Sequence, residues 1–365
     1  MADVTDLRVG IVGLGNIGHY HADRLRDLGV ELVGGMDIEA GARARFERKY
    51  GTRVFEDHDA LYERADAVIV TTPNRFHESY AVSALEADLD VLLEKPLAHT
   101  VERGERIAEA AAASNGFCMV GFHNRYRNPI EILKRFERTG RFGEITHVEA
   151  NYVRRRGIPG RGSWFTNKAV SGGGALIDIG VHALDLALYL LDFSPVVEVS
   201  GVARADFGGR PEYTYLEMWG RDAGSEAFDV DDQASAFIRC ADGSTISLEV
   251  AWAANRPTND EFVIHGTEAG ASFDRAAGSV TLHEVSSEGA PHFSDAEIET
   301  REEDPHAAEQ HAFLQAVRDG TPPERNTIEQ GLAVQQVIEA IYRSSDEGRA
   351  IRLDEPEAKA ATRPE

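Results

Sequence analysis

The stretch Arg8-Val9-Gly10-Ile11-Val12-Gly13-Leu14-Gly15-Asn16-Ile17-Gly18 decides the fold. A short apolar run over 8–12 has the length of a buried strand, and a helical pattern follows over 17–28. Between them stand three glycines spaced G-x-G-x-x-G. Gly13 suits a tight turn, Gly15 leaves the backbone bare for a pyrophosphate, and Gly18 lets helix and strand pack closely. Backbone N–H groups at the helix N-terminus are then free to bind a diphosphate. Working outward, apolar runs over 30–36, 67–70, 90–93 and 117–121 alternate with helical patterns over 40–50, 76–87 and 101–113. Residues 53–54 allow one more short strand. This alternation predicts right-handed crossovers and a parallel sheet covered on both faces. Asp37 lies 19 residues beyond Gly18, at the end of the second strand. Its carboxylate can accept hydrogen bonds from both ribose hydroxyls and repels a 2′-phosphate, so NAD is expected in preference to NADP.

The 365 residues suggest two domains and a large core. A formal net charge of −24 opposes binding to phosphate backbones and argues against a nucleic-acid partner. Cys118 and Cys240 are the two cysteines, too few for a disulfide framework. The N-terminal residues carry neither a basic segment nor an apolar leader, so a cytoplasmic protein is expected. The longest apolar stretch, 175–193, is interrupted by Asp178, His182, Asp185 and Asp192 and reads as a buried helix, not a membrane span. Of 38 basic residues only five are lysine: Lys49, Lys95, Lys134, Lys168 and Lys359. The arginine bias is what a GC-rich genome produces, and with the acidic surface it also suits a salt-rich cytoplasm.

Beyond residue 121 the pattern changes. Helical patterns over 129–139 and 175–191 flank a loop rich in Arg and Gly. The alternating runs 233–240 and 244–252 read as an antiparallel hairpin with Ile246, Leu248, Val250 and Trp252 on one face. Strands are expected over 260–266, 270–273 and 279–283, and helices over 306–318 and 327–344. Residues 288–309 hold eight acids and one Arg and read as a solvated connector. The expected domains are 1–126 and 127–353, with a frayed tail over 354–365.

Three motifs carry chemistry. Thr71-Thr72-Pro73-Asn74, followed by His77, ends the fourth strand, at the sheet edge where ligands bind in open α/β folds. Glu94-Lys95-Pro96 ends the fifth strand and places a compact ammonium beside the dinucleotide crevice. Gly172-Gly173-Gly174 precedes the apolar helix, on which Asp178 and His182 fall at i and i+4, on one face. No third residue completes a metal site, so none is expected.

Together these motifs resemble the Gfo/Idh/MocA family of dehydrogenases. The likeness runs through GLGNIG at 13–18, TTPNRFH at 71–77, EKPL at 94–97, GFHNRY at 121–126 and SGGGALIDIGVHALDL at 171–186. It implies an N-terminal Rossmann domain and a C-terminal α/β domain with a large, mainly antiparallel open sheet. It also implies self-association into dimers or tetramers through that sheet, whose apolar face needs cover. The implied cofactor contacts are Gly13, Gly15, Asn16, Ile17, Asp37, Thr72, Pro73, Asn74, His77, Glu94 and Lys95. Lys95, Asp178 and His182 become the catalytic group, acting on a secondary hydroxyl of a sugar, polyol or related carbohydrate. His182 is the general base, Asp178 orients it, and Lys95 stabilises the alkoxide. Arg125 and Tyr126 fall near the substrate, and Trp164 stands as a wall beside it. Apart from the resemblance, four arginines over 154–161 stand just ahead of Trp164 in a strongly acidic chain; they either pair with surface carboxylates or a neighbouring subunit, or one or two of them, Arg156 or Arg154, face the crevice as substrate ligands. Some relatives instead hydrolyse glycosides by transient oxidation, and others bind NAD as sugar sensors without catalysis.

Overall fold

The computed structural model describes residues 4–218 and 220–353; the tail expected to fray lies outside the described residues. In the first half, β1 (Arg8–Val12), β2 (Glu31–Met36), β3 (Val54–Phe55), β4 (Ala67–Val70), β5 (Asp90–Glu94) and β6 (Cys118–Gly121) form a six-stranded sheet. Its order is β3-β2-β1-β4-β5-β6 and every pairing is parallel. The central strands are buried on both faces, which is why they read as unbroken apolar runs. The helices α1 (Asn16–Asp27), α2 (Ala40–Tyr50), α3 (Asp59–Tyr62), α4 (His77–Glu86) and α5 (Val101–Ala113) connect them. Strand order reverses between β1 and β4, so the carboxyl ends of these strands border a crevice. Gly13 turns the chain there with φ of 96°. A Cβ on Gly18 would stand 2.2 Å from the Gly13 carbonyl oxygen, so only glycine permits this approach of helix to strand.

The second half contains α6 (Asn128–Arg138), β7 (Ile145–Val153), α7 (Lys168–Ser171) and α8 (Val181–Leu190), then β8 (Val196–Arg204), β9 (Gln233–Cys240) and β10 (Thr245–Ala251). It continues through β11 (Glu261–Gly266), β12 (Ala269–Asp274), β13 (Ser279–Ser286) and β14 (His292–Ile298) to α9 (Pro305–Asp319), α10 (Ile328–Glu347) and β15 (Ile351–Arg352). The nine strands form one sheet in the order β14-β13-β12-β11-β7-β10-β9-β8-β15. Only β7 and β10 run parallel. The β9–β10 hairpin pairs in register with Ile246, Leu248 and Val250 buried. The apolar segment Lys168–Leu190 is long enough to cross a bilayer, yet 94% of its most apolar window is buried inside the protein, as suits a core helix.

Three expectations need correction. The acidic connector contains a strand, β14, paired through Val280 with Ile298 and Leu282 with Ala296. Its acids point outward, as in the His283–Asp295 pair at 2.7 Å, so charge at a sheet edge was taken for a solvated linker. Second, the apolar side of the large sheet is covered by this chain's own α8 and α10. The outward side is polar: His147 bonds Thr245 and Ser247, and His265 pairs with Glu149. Apolar exposure there is confined to residues such as Val202, Phe237, Val285 and Phe293. Third, the helix carrying Asp178 and His182 opens with a π-helical turn over Leu176–Gly180. The wider turn changes the angular offset between the two residues that simple α-helical spacing would set.

Candidate active site

The dinucleotide groove is built by the turn after β1. A cavity of about 420 Å³ is lined by Gly13, Gly15, Asn16, Ile17, Asp37, Thr72 and Pro73. Gly15 is the N-cap of α1 with no capping side chain, and the first helical turn holds no acid. A Cβ added to Gly15 would meet nothing within 4 Å, leaving an open cradle over the N–H groups of a 12-residue helix. That is the geometry a diphosphate needs. The Asp37 carboxylate accepts from the Leu14 and Glu39 backbone N–H groups, each at 2.8 Å. Arg45 of α2 lines the same cavity, a cation that the sequence reading did not include. Its place follows from α2 starting directly behind Asp37 and Ile38.

A second cavity of about 520 Å³ adjoins the first, sharing Ile17, Thr71, Thr72, Trp164 and Phe165 in its wall. Lys95, Asp178 and His182 all line it. Thr72 Oγ1 and His123 Nδ1 are buried at this wall without partners, donors and acceptors in reserve for a bound cofactor or substrate. Asn74 also lines it but spends its amide N–H on the Ser171 carbonyl, tying the two domains together. His77 stays behind the wall, its two nitrogens 2.8 Å from the Pro96 and Thr72 carbonyl oxygens. Burial pushes the Glu94 carboxyl up, but the hydrogen bond and charge of His21 outweigh this and hold it below the usual range. The Lys95–Pro96 bond is cis.

Lys95 Nζ donates to the Asp178 carbonyl oxygen at 3.0 Å and to Oδ1 at 3.2 Å. Trp252 Nε1–H donates to Asp178 Oδ2 at 3.0 Å. Asp178 therefore serves Lys95 and Trp252, and among the described residues it makes no hydrogen bond to His182. The i, i+4 pairing expected from the sequence is not formed. Asn124 takes that place, its Nδ2 standing 3.2 Å from His182 Nδ1. His123 packs edge-on to His182 and stacks on His306 with centroids 3.6 Å apart. Burial first, then Lys95, Arg275, His306 and Arg154, pushes the His182 imidazole well below its ordinary value. Burial likewise lowers His306 to about 4.

Three residues expected at the substrate lie elsewhere. Arg125 is wholly buried against Asp185, with Gln330 accepting a further bond. A guanidinium in that position anchors the core between the domains. Tyr126 lines a separate cavity with Arg325 and Glu131. Arg156 donates to the Ala254 carbonyl at 2.9 Å and to Asn255 Oδ1 at 2.7 Å, outside the cavity wall. Arg154 lines the cavity in its place. Trp164 lies in the cavity wall, stacked on Phe165 at 3.8 Å, with both rings lining it. Residues missed by the sequence reading are Asn124, His123, His306, Phe165 and Trp252. The string GFHNRY held two of them, but only the fold shows that α9 returns to lay His306 on His123.

Comparison with known proteins agrees with this architecture. Residues 7–122 match the model described as the oxidoreductase family, NAD-binding Rossmann fold, and residues 130–272 match the GFO/IDH/MocA C-terminal domain. The chain is 31% identical over 359 residues to D-glucoside 3-dehydrogenase of Escherichia coli strain K12, covering 95% of this chain and 97% of the relative. It is 30% identical over 299 residues to levoglucosan dehydrogenase of Pseudarthrobacter phenanthrenivorans, covering 74% of each. A solved structure of levoglucosan dehydrogenase in complex with NADH has the same fold, with a TM-score of 0.82 at 23% identity over 96% of this chain and 100% of the other. The likeness runs through both halves of the molecule, and the chain belongs to the Gfo/Idh/MocA family of oxidoreductases.

Proposed function

We propose that the protein is an NAD-dependent dehydrogenase that oxidises a secondary hydroxyl of a sugar, polyol or related carbohydrate. The observation that carries this reading is the convergence of Lys95, Asp178 and His182 on one cavity that adjoins the glycine-turn groove. A relative spanning almost the whole chain, D-glucoside 3-dehydrogenase, supports a carbohydrate substrate. Nicotinamide supplies the hydride acceptor when bound. The chain's own task is then to hold the carbinol carbon, take the hydroxyl proton and stabilise the developing alkoxide. Lys95 and His182 face the cavity for the last two tasks, and Asp178 anchors Lys95. Trp164 and Phe165 offer a flat apolar wall for a sugar ring, and Arg154 a fixed cation for its hydroxyls. Asp37, which lines the glycine-turn groove, favours NAD by accepting from the ribose hydroxyls and repelling a 2′-phosphate.

Two settings accompany the reading. Self-association uses the outward face of the large sheet, around Val202 and Phe237, and Phe237→Asp should lower the mass measured by light scattering. The protein resides in the cytoplasm, consistent with its two buried free cysteines. The test of function is a cofactor-reduction screen over monosaccharides, inositols, uronates and anhydrosugars. Multiple turnovers with one class support a dehydrogenase. NAD-dependent glycoside cleavage without net reduction, or sugar binding without turnover, replaces it.

A further inference from the structure

Behind the cavity wall, Asn124 stands between Arg127 and His182. We propose that Arg127 and Asn124 lock His182 as its neutral Nε2–H tautomer, so that it donates a hydrogen bond to the reacting oxygen and the hydroxyl proton passes to the Lys95–Asp178 pair. The chemical consequence rests on the dehydrogenase reading; the tautomer does not.

The geometry is a short chain of obligatory polarities. Arg127 Nε–H donates to Asn124 Oδ1 at 2.8 Å. A guanidinium has donors only, so the oxygen end of the carboxamide must face it; turning the amide would bring two donors together at that distance. The NH₂ end therefore faces His182 Nδ1, 3.2 Å away. That nitrogen must present its lone pair, and a neutral imidazole then carries its single proton on Nε2. Forming the imidazolium would put a second N–H against the Asn124 amide, which could yield only by abandoning Arg127. Asn124 is buried, so neither polar end can turn to water instead.

The surroundings act in the same direction. Lys95, Arg154, Arg275, His123 and His306 face the ring from β5, the β7 loop, the β12–β13 turn, the turn after β6 and α9. Arg127 adds another positive charge behind Asn124. The nearby carboxylates are engaged elsewhere, Asp178 with Lys95 and Asp185 with Arg125. Burial and these cations all oppose a second proton on the ring. A neutral imidazole protonated on Nε2 has no in-plane lone pair for the substrate and cannot serve as its base. It can hold the oxygen as charge develops, the role of a preorganised donor. When the substrate O–H bond breaks, its proton passes to Lys95 Nζ as Lys95 hands one of its own to Asp178 Oδ1, 3.2 Å away, and the carboxyl later releases that proton to solvent. Asn124 and Arg127 are positioning residues in this scheme. It replaces the sequence-based assignment of the base to His182.

The test is ¹⁵N NMR of histidine-labelled full-length protein, with the His182 signals identified by their loss in His182→Gln. The expected result is one Nε2–H tautomer with no titration between about pH 5 and 8. An Nδ1–H tautomer, or titration near the ordinary value of ~6.5, overturns the proposal. Asn124→Asp replaces the amide with a group that accepts from both sides. It should move the proton to Nδ1 and raise the pKa of the ring; an unchanged spectrum contradicts the lock. Arg127→Gln keeps Asn124 and releases its orientation, so it should give mixed tautomers, and it decides the matter if Asn124→Asp folds poorly. In turnover, Asn124→Asp should lower kcat by about 10²-fold or more with KM nearly unchanged, whereas a gain in kcat would restore His182 as the base. A protein with the expected spectrum that reduces no cofactor keeps the lock and refutes the dehydrogenase reading alone.

Discussion

Replacing Arg125 separates a structural role from a substrate role. Its guanidinium is 0% exposed and the Asp185 side chain 1%. Nε lies 3.1 Å from both carboxylate oxygens, and the rings of Phe122, Tyr189 and Phe193 stand 4.9, 5.0 and 4.8 Å from the guanidinium carbon. Arg125→Met leaves a carboxylate buried among apolar groups with no counter-charge. Breaking such a pair from one side costs about 3–5 kcal/mol, against a total stability of about 5–15 kcal/mol for a typical domain. The loss should therefore be a large share of what holds this region together. Arg125→Met with Asp185→Leu removes both charges and should recover most of it, since apolar replacements of buried pairs are often neutral or better. Urea unfolding midpoints of wild type, single and double variants in one buffer measure the sequence directly, without assuming a two-state transition. Folded Arg125→Met should keep its KM. A wild-type midpoint for the single variant, or a double variant no better than the single, would refute the core-anchor reasoning. A raised KM with unchanged stability would return Arg125 to the substrate.

On the cofactor, wild type should prefer NAD in steady-state kinetics, and Asp37→Ser with Ile38→Arg should shift preference toward NADP; a wild type preferring NADP would overturn the role given to Asp37. On substrate contact, Arg154→Ala should raise KM while Arg156→Ala leaves it unchanged, because only Arg154 lines the cavity. Equal effects would disprove that division. On pH, His306 has a folded value of about 4 against 6.5 unfolded, so the unfolded chain binds more protons between those values and stability falls as pH drops through that window. The contribution at neutral pH is about 3 kcal/mol. His306→Gln should flatten the acid limb of calorimetric stability below about pH 6.5, and an unaltered limb would show that His306 titrates normally.

The parallel-sheet half was legible because its strands are covered on both faces and its glycines answer local steric demands. Gly18 needs only its own turn to explain it. The second half hid more. β14 carries its acids outward at an edge, so its charge obscured a two-residue alternation. Every residue of α8 is buried, as is most of the π-helical turn before it, so no polar-apolar periodicity shows which way Asp178 points. The π-helical turn was invisible for the same reason. Only the family resemblance puts Arg125 near the substrate; its buried partner Asp185 is far along the chain, so no local pattern shows the pair. Asn124, His123 and His306 depend on α9 docking against the turn after β6. No local pattern encodes that contact.

In the proposed reaction hydride leaves a carbohydrate carbinol carbon, and oxidised product is released at each turnover. The most direct measurement uses the substrate found by screening, labelled with deuterium at that carbon, with mass spectrometry of the reduced cofactor. Deuterium should appear in the nicotinamide ring in proportion to oxidised sugar over many turnovers, and Lys95→Ala should abolish it. Label retained in the sugar, or label that returns to a hydrolysed product without net cofactor reduction, would contradict it.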